Sequence, residues 1–316
     1  RRAANPDTAA SGANALLPIL NAREVLAGDL PVEDLGISLL DEFTLQITRT
    51  GPTPYFLSLL TNPVAYPVNR ANVEEFGDQF SRPGNLVSNG AYTLANWTPR
   101  IRIELEINPN YREAERTLVE RVVFLPTEDL SSEDKQFRLG ELDWTNEVPN
   151  HQFRWLQQNY SDELQVSPRM GSYFFGFNLT QEPFIDNPSL RMALILSIDR
   201  QIITDKVSQF GEKPSFSLVP PGIDGYVPFS AEYADWTQDE RNHEARRLFE
   251  QAGYSAERPL HLEIRYNTSD NHKKIALALA SMWKQVLGVN STLVNEEFRV
   301  FMQNREQKFI TEVFRA

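Results

Sequence analysis

The chain has 316 residues, enough for two or three domains and at least one sizeable core. Apolar residues make up 41% and charged residues 23%, and no apolar run approaches the roughly 20 residues of a membrane-crossing helix, which excludes a helical membrane protein. With 31 basic against 43 acidic residues the net charge is −12, a field that repels nucleic-acid phosphates and anionic lipid; the absence of cysteine removes disulfides, thiolate metal sites and cysteine nucleophiles.

Residues 1–38 are rich in small residues and loop-like, with a helical stretch near 19–27. Phe43, Leu45 and Ile47 alternate with polar neighbours, which predicts a strand over 43–50, followed by a turn at 51–54 and a short helix over 55–60. Ile101, Ile103, Leu105 and Ile107 face one way and Arg102, Glu104 and Glu106 the other, the pattern of a half-buried strand. A short continuous apolar strand is expected at 122–125 and a helix at 131–139, with Gly140 as its left-handed cap. A strand at 141–144 and a helical stretch at 148–159 follow.

From residue 171 the character changes. An aromatic strand is expected at 173–179 and a helix over 186–207, entered at Pro188. Residues 213–235, rich in proline and aromatics, read as a long ordered loop. An amphipathic helix over 239–252 closes at Gly253, and a strand occupies 260–267. Ile275, Leu279, Met282 and Val286 line one face of a helix over 269–287 that closes at Gly288. A strand at 291–295, a helix at 296–305 and an apolar strand at 309–316 complete the series. Strands and helices alternate without a flexible linker, so the class is mixed α/β, built as hinged lobes.

Catalytic motifs are missing. None of His151, His243, His261 and His272 lies in a metal-binding spacing, and there is no nucleophile elbow, Walker loop or dinucleotide fingerprint. The carboxylate pairs Glu141/Asp143 and Glu296/Glu297 read as solvated faces, and glycosylation-type triplets begin at Asn96, Asn178, Asn267 and Asn290. What remains is a binding protein without metal or cofactor, with arginines and a histidine on loop or helix ends suited to a small anionic or zwitterionic ligand.

Seven collinear stretches carry a resemblance. They are residues 35–56 (LGISLLDEFTLQITRTGPTPYF), 87–97 (VSNGAYTLANW), 107–111 (INPNY), 137–144 (FRLGELDW), 173–178 (YFFGFN), 190–200 (LRMALILSIDR) and 266–288 (YNTSDNHKKIALALASMWKQVLG). Together they resemble the family 5 extracellular solute-binding proteins, and within it the periplasmic oligopeptide-binding components of ABC importers.

The resemblance implies a two-lobe periplasmic-binding-protein fold of the type II, cluster C kind with an extra small domain. It places residues 1–68 in the small domain, 69–171 in the core of lobe I and 172–316 in the first part of lobe II. It also implies that family members extend beyond both ends of this chain, which begins at Arg1 without a signal peptide. The implied partners are an oligopeptide held between closing lobes by β-augmentation and the permease subunits of the importer; the protein would be periplasmic, monomeric and not an enzyme. A non-peptide solute on the same fold, or a fragment without a complete ligand site, are the alternatives.

Residue by residue, His272, Arg305 and Arg315 match basic residues that the family uses near the ligand's C-terminal carboxylate. Phe298 matches an aromatic pocket wall and Asn146 a cleft loop. Gly176 stands where an acidic ligand-facing residue can occur, and Gly12 where a cleft aromatic can. Read without the family, His272 would be a solvated first-turn residue, Arg305 a helix C-terminal cation, Phe298 a core aromatic, and Tyr173 with its neighbours the packing of a crossing strand.

Overall fold

A computed structural model of the chain describes every residue apart from Ala9, Ser11, Pro168, Lys308, Ile310 and Thr311. The chain divides into two compact units, Arg1–Pro126 and Thr127–Ala316.

In the first unit, α1 (Ala22–Ala27) and the antiparallel pair β1 (Ile37–Leu39) and β2 (Leu45–Ile47) surround a small core. That core holds Ala4, Leu16, Ile19, Ala22, Val25 and Leu35, closed by Phe56 of α2 (Phe56–Leu59). The strand expected over 43–50 is thus shorter and finds its partner in 37–39, a segment whose alternation is too brief to read. After α3 (Arg70–Phe76), strands β3 (Tyr92–Thr98), β4 (Arg102–Ile107) and β5 (Arg121–Phe124) form an antiparallel sheet.

The charged face of β4 departs from expectation. Glu104 is 8% exposed, because Arg102, Arg121 and Asn96 close around its carboxylate. The hydrogen bond from Arg121 is the main reason that this carboxyl's pKa lies below the usual range, against the cost of desolvation. Conversely the apolar run at the edge is not enclosed: Val123 and Phe124 of β5 are exposed.

The second unit begins with α4 (Leu130–Arg138), capped by Asp129 and ended by Gly140 at φ 75°. The strand expected at 141–144 does not form; this stretch joins no ladder among the described residues, and strand geometry needs a partner to satisfy its backbone. α5 (Phe153–Asn159) follows a 3₁₀ turn at Asn150–Gln152. β6 (Phe175–Phe177) is shorter than the aromatic run that contains it.

The single helix expected over 186–207 is broken. α6 (Pro188–Leu196) ends at Ser197, whose hydroxyl donates to the Leu194 carbonyl. Asp199 then caps a new start by accepting from the Ile202 N–H at 3.0 Å, giving α7 (Arg200–Ile202) and a π-helical turn, Ile203–Ser208. The reciprocal capping box of Thr237 and Glu240 opens α8 (Gln238–Gln251).

β7 (His261–Asn267), α9 (Asp270–Leu287), β8 (Asn290–Glu296), α10 (Phe298–Glu306) and β9 (Val313–Arg315) complete the unit. The strand expected at 309–316 is described over its last part; residues 310 and 311 lie outside the described residues. α9 buries Ile275, Leu279, Trp283 and Leu287, one residue per turn. Gly288, at φ 73°, ends it where a side chain would be strained, and the Val289 N–H turns back to the Trp283 carbonyl at 3.3 Å.

The sheet has the order β6–β9–β7–β8, with β9, β7 and β8 parallel and β6 antiparallel. On one face, Leu262, Ile264 and Tyr266 pack with Leu190, Leu194, Phe249, Leu279 and Trp283 from α6, α8 and α9. On the other face Arg265 bridges Glu263 at 2.6 Å and Glu296 at 2.9 Å, and Asn304 of α10 donates to Glu296 at 2.7 Å. Glu296 is therefore an anchor for α10 and not part of a solvated acidic pair.

No described helix is long and apolar enough to cross a membrane. Trp283 is 1% exposed, and its indole N–H donates to the Leu194 carbonyl at 3.0 Å across the α6–α9 contact. Trp283→Ala should therefore cost about 3–5 kcal/mol of unfolding free energy in denaturant titration, through a cavity at this helix pair.

Candidate ligand-binding site

Parallel pairing decides where functional groups collect. Because β7, β8 and β9 run the same way, their carboxyl ends share one edge of the sheet. The antiparallel β6 brings its amino end to that edge, with Phe175 opposite Arg315. The edge therefore holds Tyr173 before β6, His272 in the first turn of α9, Phe298 at the start of α10, and Arg315 at the end of β9. The crevice outside the carboxyl ends of such strands is where open α/β sheets bind ligands.

Three of these side chains form one group. The Tyr173 hydroxyl lies 3.1 Å from Nδ1 of His272, and the two rings are 5.5 Å apart at an interplanar angle of 35°. The Arg315 guanidinium carbon sits 5.7 Å from the centre of the Tyr173 ring, and Phe175 supports that ring edge-on at 5.9 Å. Arg315 Nε is buried and has no hydrogen-bond partner among the described residues. A buried guanidinium N–H left open in this way is costly unless a ligand acceptor fills it.

The electrostatics follow from burial and from that one cation. Desolvation first, and then the charge of Arg315, push the His272 imidazole down to about 4, so it is neutral at ordinary pH. Desolvation pushes the Tyr173 phenol up to about 12, although charge and hydrogen bonding from Arg315 pull the other way. The group thus carries a single positive charge, on Arg315.

Its position is secured from below. Ser269 caps α9 by accepting from the His272 N–H at 3.5 Å. The buried Asn150 amide donates to Asn271 Oδ1 at 2.8 Å and to the Ser208 carbonyl at 3.2 Å, which holds the first turn of α9 from the side. No motif marks Asn150 or Asn271, and the sequence alone suggests packing, with a secondary hinge role, for Tyr173. The signal for Tyr173 is a phenol in an otherwise hydrocarbon aromatic run, the one ring there with a hydrogen-bonding handle. Asn150 had no local signal.

The remaining candidates are dispersed. Phe298 shares the edge and is 55% exposed, so it is not the core aromatic that its helix position alone suggests. Arg305 stands in the last turn of α10, half-buried. Asn146 is an exposed loop residue whose N–H donates to Glu133 Oε1 at 3.3 Å. Gly176 pairs with Phe314, so alternation along the strands sets it on the face opposite Arg315. A Cβ on Gly176 would come within 2.8 Å of the Phe314 ring. No hydrogen bond or ion pair among the described residues ties Arg305, Asn146 or Gly176 to the Tyr173–His272–Arg315 group. No cluster of three metal-ligating side chains occurs among the described residues.

Residues 1–315 match the family model for bacterial extracellular solute-binding proteins, family 5 middle. The chain belongs to that family. A periplasmic oligopeptide-binding protein, OppA, of Salmonella typhimurium is 40% identical over 310 residues, which cover 97% of this chain and 57% of the relative. Among solved family 5 structures, Burkholderia pseudomallei OppA superimposes with a TM-score of 0.93 at 34% identity, covering 100% of this chain and 62% of that one. Haemophilus influenzae OppA in complex with the peptide RPPGFSPFR gives 0.92 at 36% identity, again with 100% and 62% coverage. The chain thus spans about three-fifths of these family 5 relatives and has their mixed α/β binding-protein fold.

Two outcomes follow from the geometry. Below its ordinary value of 6.5 a histidine in the unfolded chain binds a proton that folded His272 refuses down to about 4. Stability should therefore rise with pH across that window, and His272→Gln should flatten the slope in denaturation curves measured at successive pH values. Gly176→Ala should lower stability by about 1–3 kcal/mol through overpacking against Phe314, and Phe314→Leu in the same chain should recover part of the loss.

Proposed function

We propose that this chain forms part of the substrate-binding component of an ABC importer, a periplasmic receptor that captures oligopeptides and passes them to membrane permease subunits. The observation that carries the reading is Arg315: a half-buried arginine with a buried, unfilled Nε, beside a neutral histidine, at the carboxyl edge of the sheet. An acceptor-only carboxylate is the group that such donors fit, and every free peptide ends in one. The peptide would lie extended against strand edges and pair its backbone with them, so that main-chain contacts give affinity whatever the side chains. The names of the relatives, periplasmic and oligopeptide-binding, support the same reading.

In this reading residues 1–68 belong to a small domain, 69–171 to the core of lobe I and 172–316 to the first part of lobe II, with the lobes closing on the ligand by a hinge. His272 and Arg315 hold the peptide carboxylate, with Arg305 as a further cation. Phe298, exposed at the edge, walls a side-chain pocket, Asn146 belongs to a cleft loop, and Gly176 leaves the ligand without an acidic partner at that strand. The protein works as a monomer, needs no cofactor and does not turn its ligand over.

Native mass spectrometry of the purified protein with defined tripeptides tests this. Saturable adducts of unchanged peptide mass are expected. His272→Ala and Arg315→Ala should each weaken peptides with a free carboxylate by roughly ten- to a hundredfold, the worth of one charge-assisted hydrogen bond, while leaving C-terminally amidated peptides little changed. Equal losses for both peptide forms would overturn the role of these residues. Retention of a non-peptide solute in place of peptides, or cleavage of the peptide, would overturn the function.

A further inference from the structure

We propose that Tyr173 is a positioning residue that sets the hydrogen-bond polarity of this site: its hydroxyl donates to Nδ1 of His272 and so fixes the imidazole as the tautomer that presents Nε2–H to the ligand. The inference rests on the carboxylate-binding reading above and deepens it, because it says how a site with one cation distinguishes an acid from an amide.

The polarity follows from what each group is able to do. A guanidinium donates hydrogen bonds and accepts none. Arg315 stands beside the Tyr173 ring, its guanidinium carbon 5.7 Å from the ring centre, and can offer the phenol oxygen donors alone. The one proton of the phenol is left to point elsewhere, and Nδ1 of His272 is 3.1 Å away. An Nδ1 that accepts carries no proton, so the proton of the neutral ring sits on Nε2.

A doubly protonated ring is disfavoured three times over. Burial and the charge of Arg315 both oppose it, as the depressed basicity of His272 records. His272 also stands in the first turn of an 18-residue helix, at the positive end of its dipole. The result is two donors, Nε2–H of His272 and the open Nε–H of Arg315, with a single formal charge between them. A carboxylate offers acceptors to both. A carboxamide bound there either meets one donor with its own N–H₂ or turns away and leaves that donor unfilled, and both are costly in a half-buried site.

Tyr173→Phe keeps the ring that packs on Arg315 and Phe175 and removes the hydroxyl alone. Nδ1 then loses its donor, and the proton of the neutral imidazole redistributes between the two nitrogens. Nε2 becomes an acceptor in part of the population, and an amide is better tolerated. The preference for a free-acid tripeptide over its C-terminal amide should fall about three- to tenfold, the range of one neutral hydrogen bond.

The test is nitrogen-detected NMR of His272 in the ligand-free protein at neutral pH, followed by titration of both proteins with a tripeptide and its amide. The proposal expects a protonated Nε2 and a bare Nδ1 in the parent, a mixed or reversed tautomer in Tyr173→Phe, and the reduced acid-over-amide preference in that variant. A proton on Nδ1 in the parent, a variant with the same tautomer, or an unchanged preference would overturn it. Failure of the peptide reading looks different: neither peptide binds either protein, while the tautomer and its dependence on Tyr173 stand as stated.

Discussion

The parallel ladder of β7 with β8 and β9 is the constraint on which the site depends. It fixes direction: each of these strands delivers its carboxyl end, and the helix start or side chain that follows, to one edge. Reversing β9 would carry Arg315 to the opposite edge and separate it from His272. Such a ladder is stable only when both faces of the sheet are covered. Here one face is closed by the apolar layer around Trp283, and the other by α10 with the ion pairs of Arg265. Core packing and the candidate edge are therefore one problem: α9 and α10, which cover the two faces, start at the edge where the candidate groups collect.

In a chain with a net charge of −12, Arg315 stands beside a neutral histidine. Among the described residues no carboxylate forms a salt bridge with Arg315. Arg265 pairs with two glutamates and Arg138 with Asp134. The Nε of Arg315 has neither a hydrogen-bond nor an ion-pair partner among the described residues, and a partly unsatisfied group of this kind is expected at sites that keep a place for a ligand.

What the sequence disclosed tracks the range of the interaction. The extent of α9 was legible because its cap and its terminal Gly288 lie within one stretch, while its buried stripe runs through Trp283 and Leu287 in place of Met282 and Val286. The broken helix at 197–199 was misread because continuous apolar residues outweighed one aspartate that caps a second start. Glu104 was misplaced because Arg121, which encloses it, arrives from another strand. The site divides in the same way. His272 and Arg315 are candidates through family motifs, but the bond between Tyr173 and His272 spans 99 residues and the bond from Asn150 to Asn271 spans 121. No local pattern encodes either. Gly176 was legible as a departure from the family pattern, while the physical reason for a glycine there, the Phe314 ring across the ladder, required the register.

The most direct test of the account is a crystal structure of the protein grown with a short free-acid peptide. The account predicts the terminal carboxylate at the carboxyl edge of the sheet, with one oxygen accepting from Arg315 Nε and another from Nε2 of His272. A carboxylate bound elsewhere, with Arg315 Nε still unfilled, would contradict it.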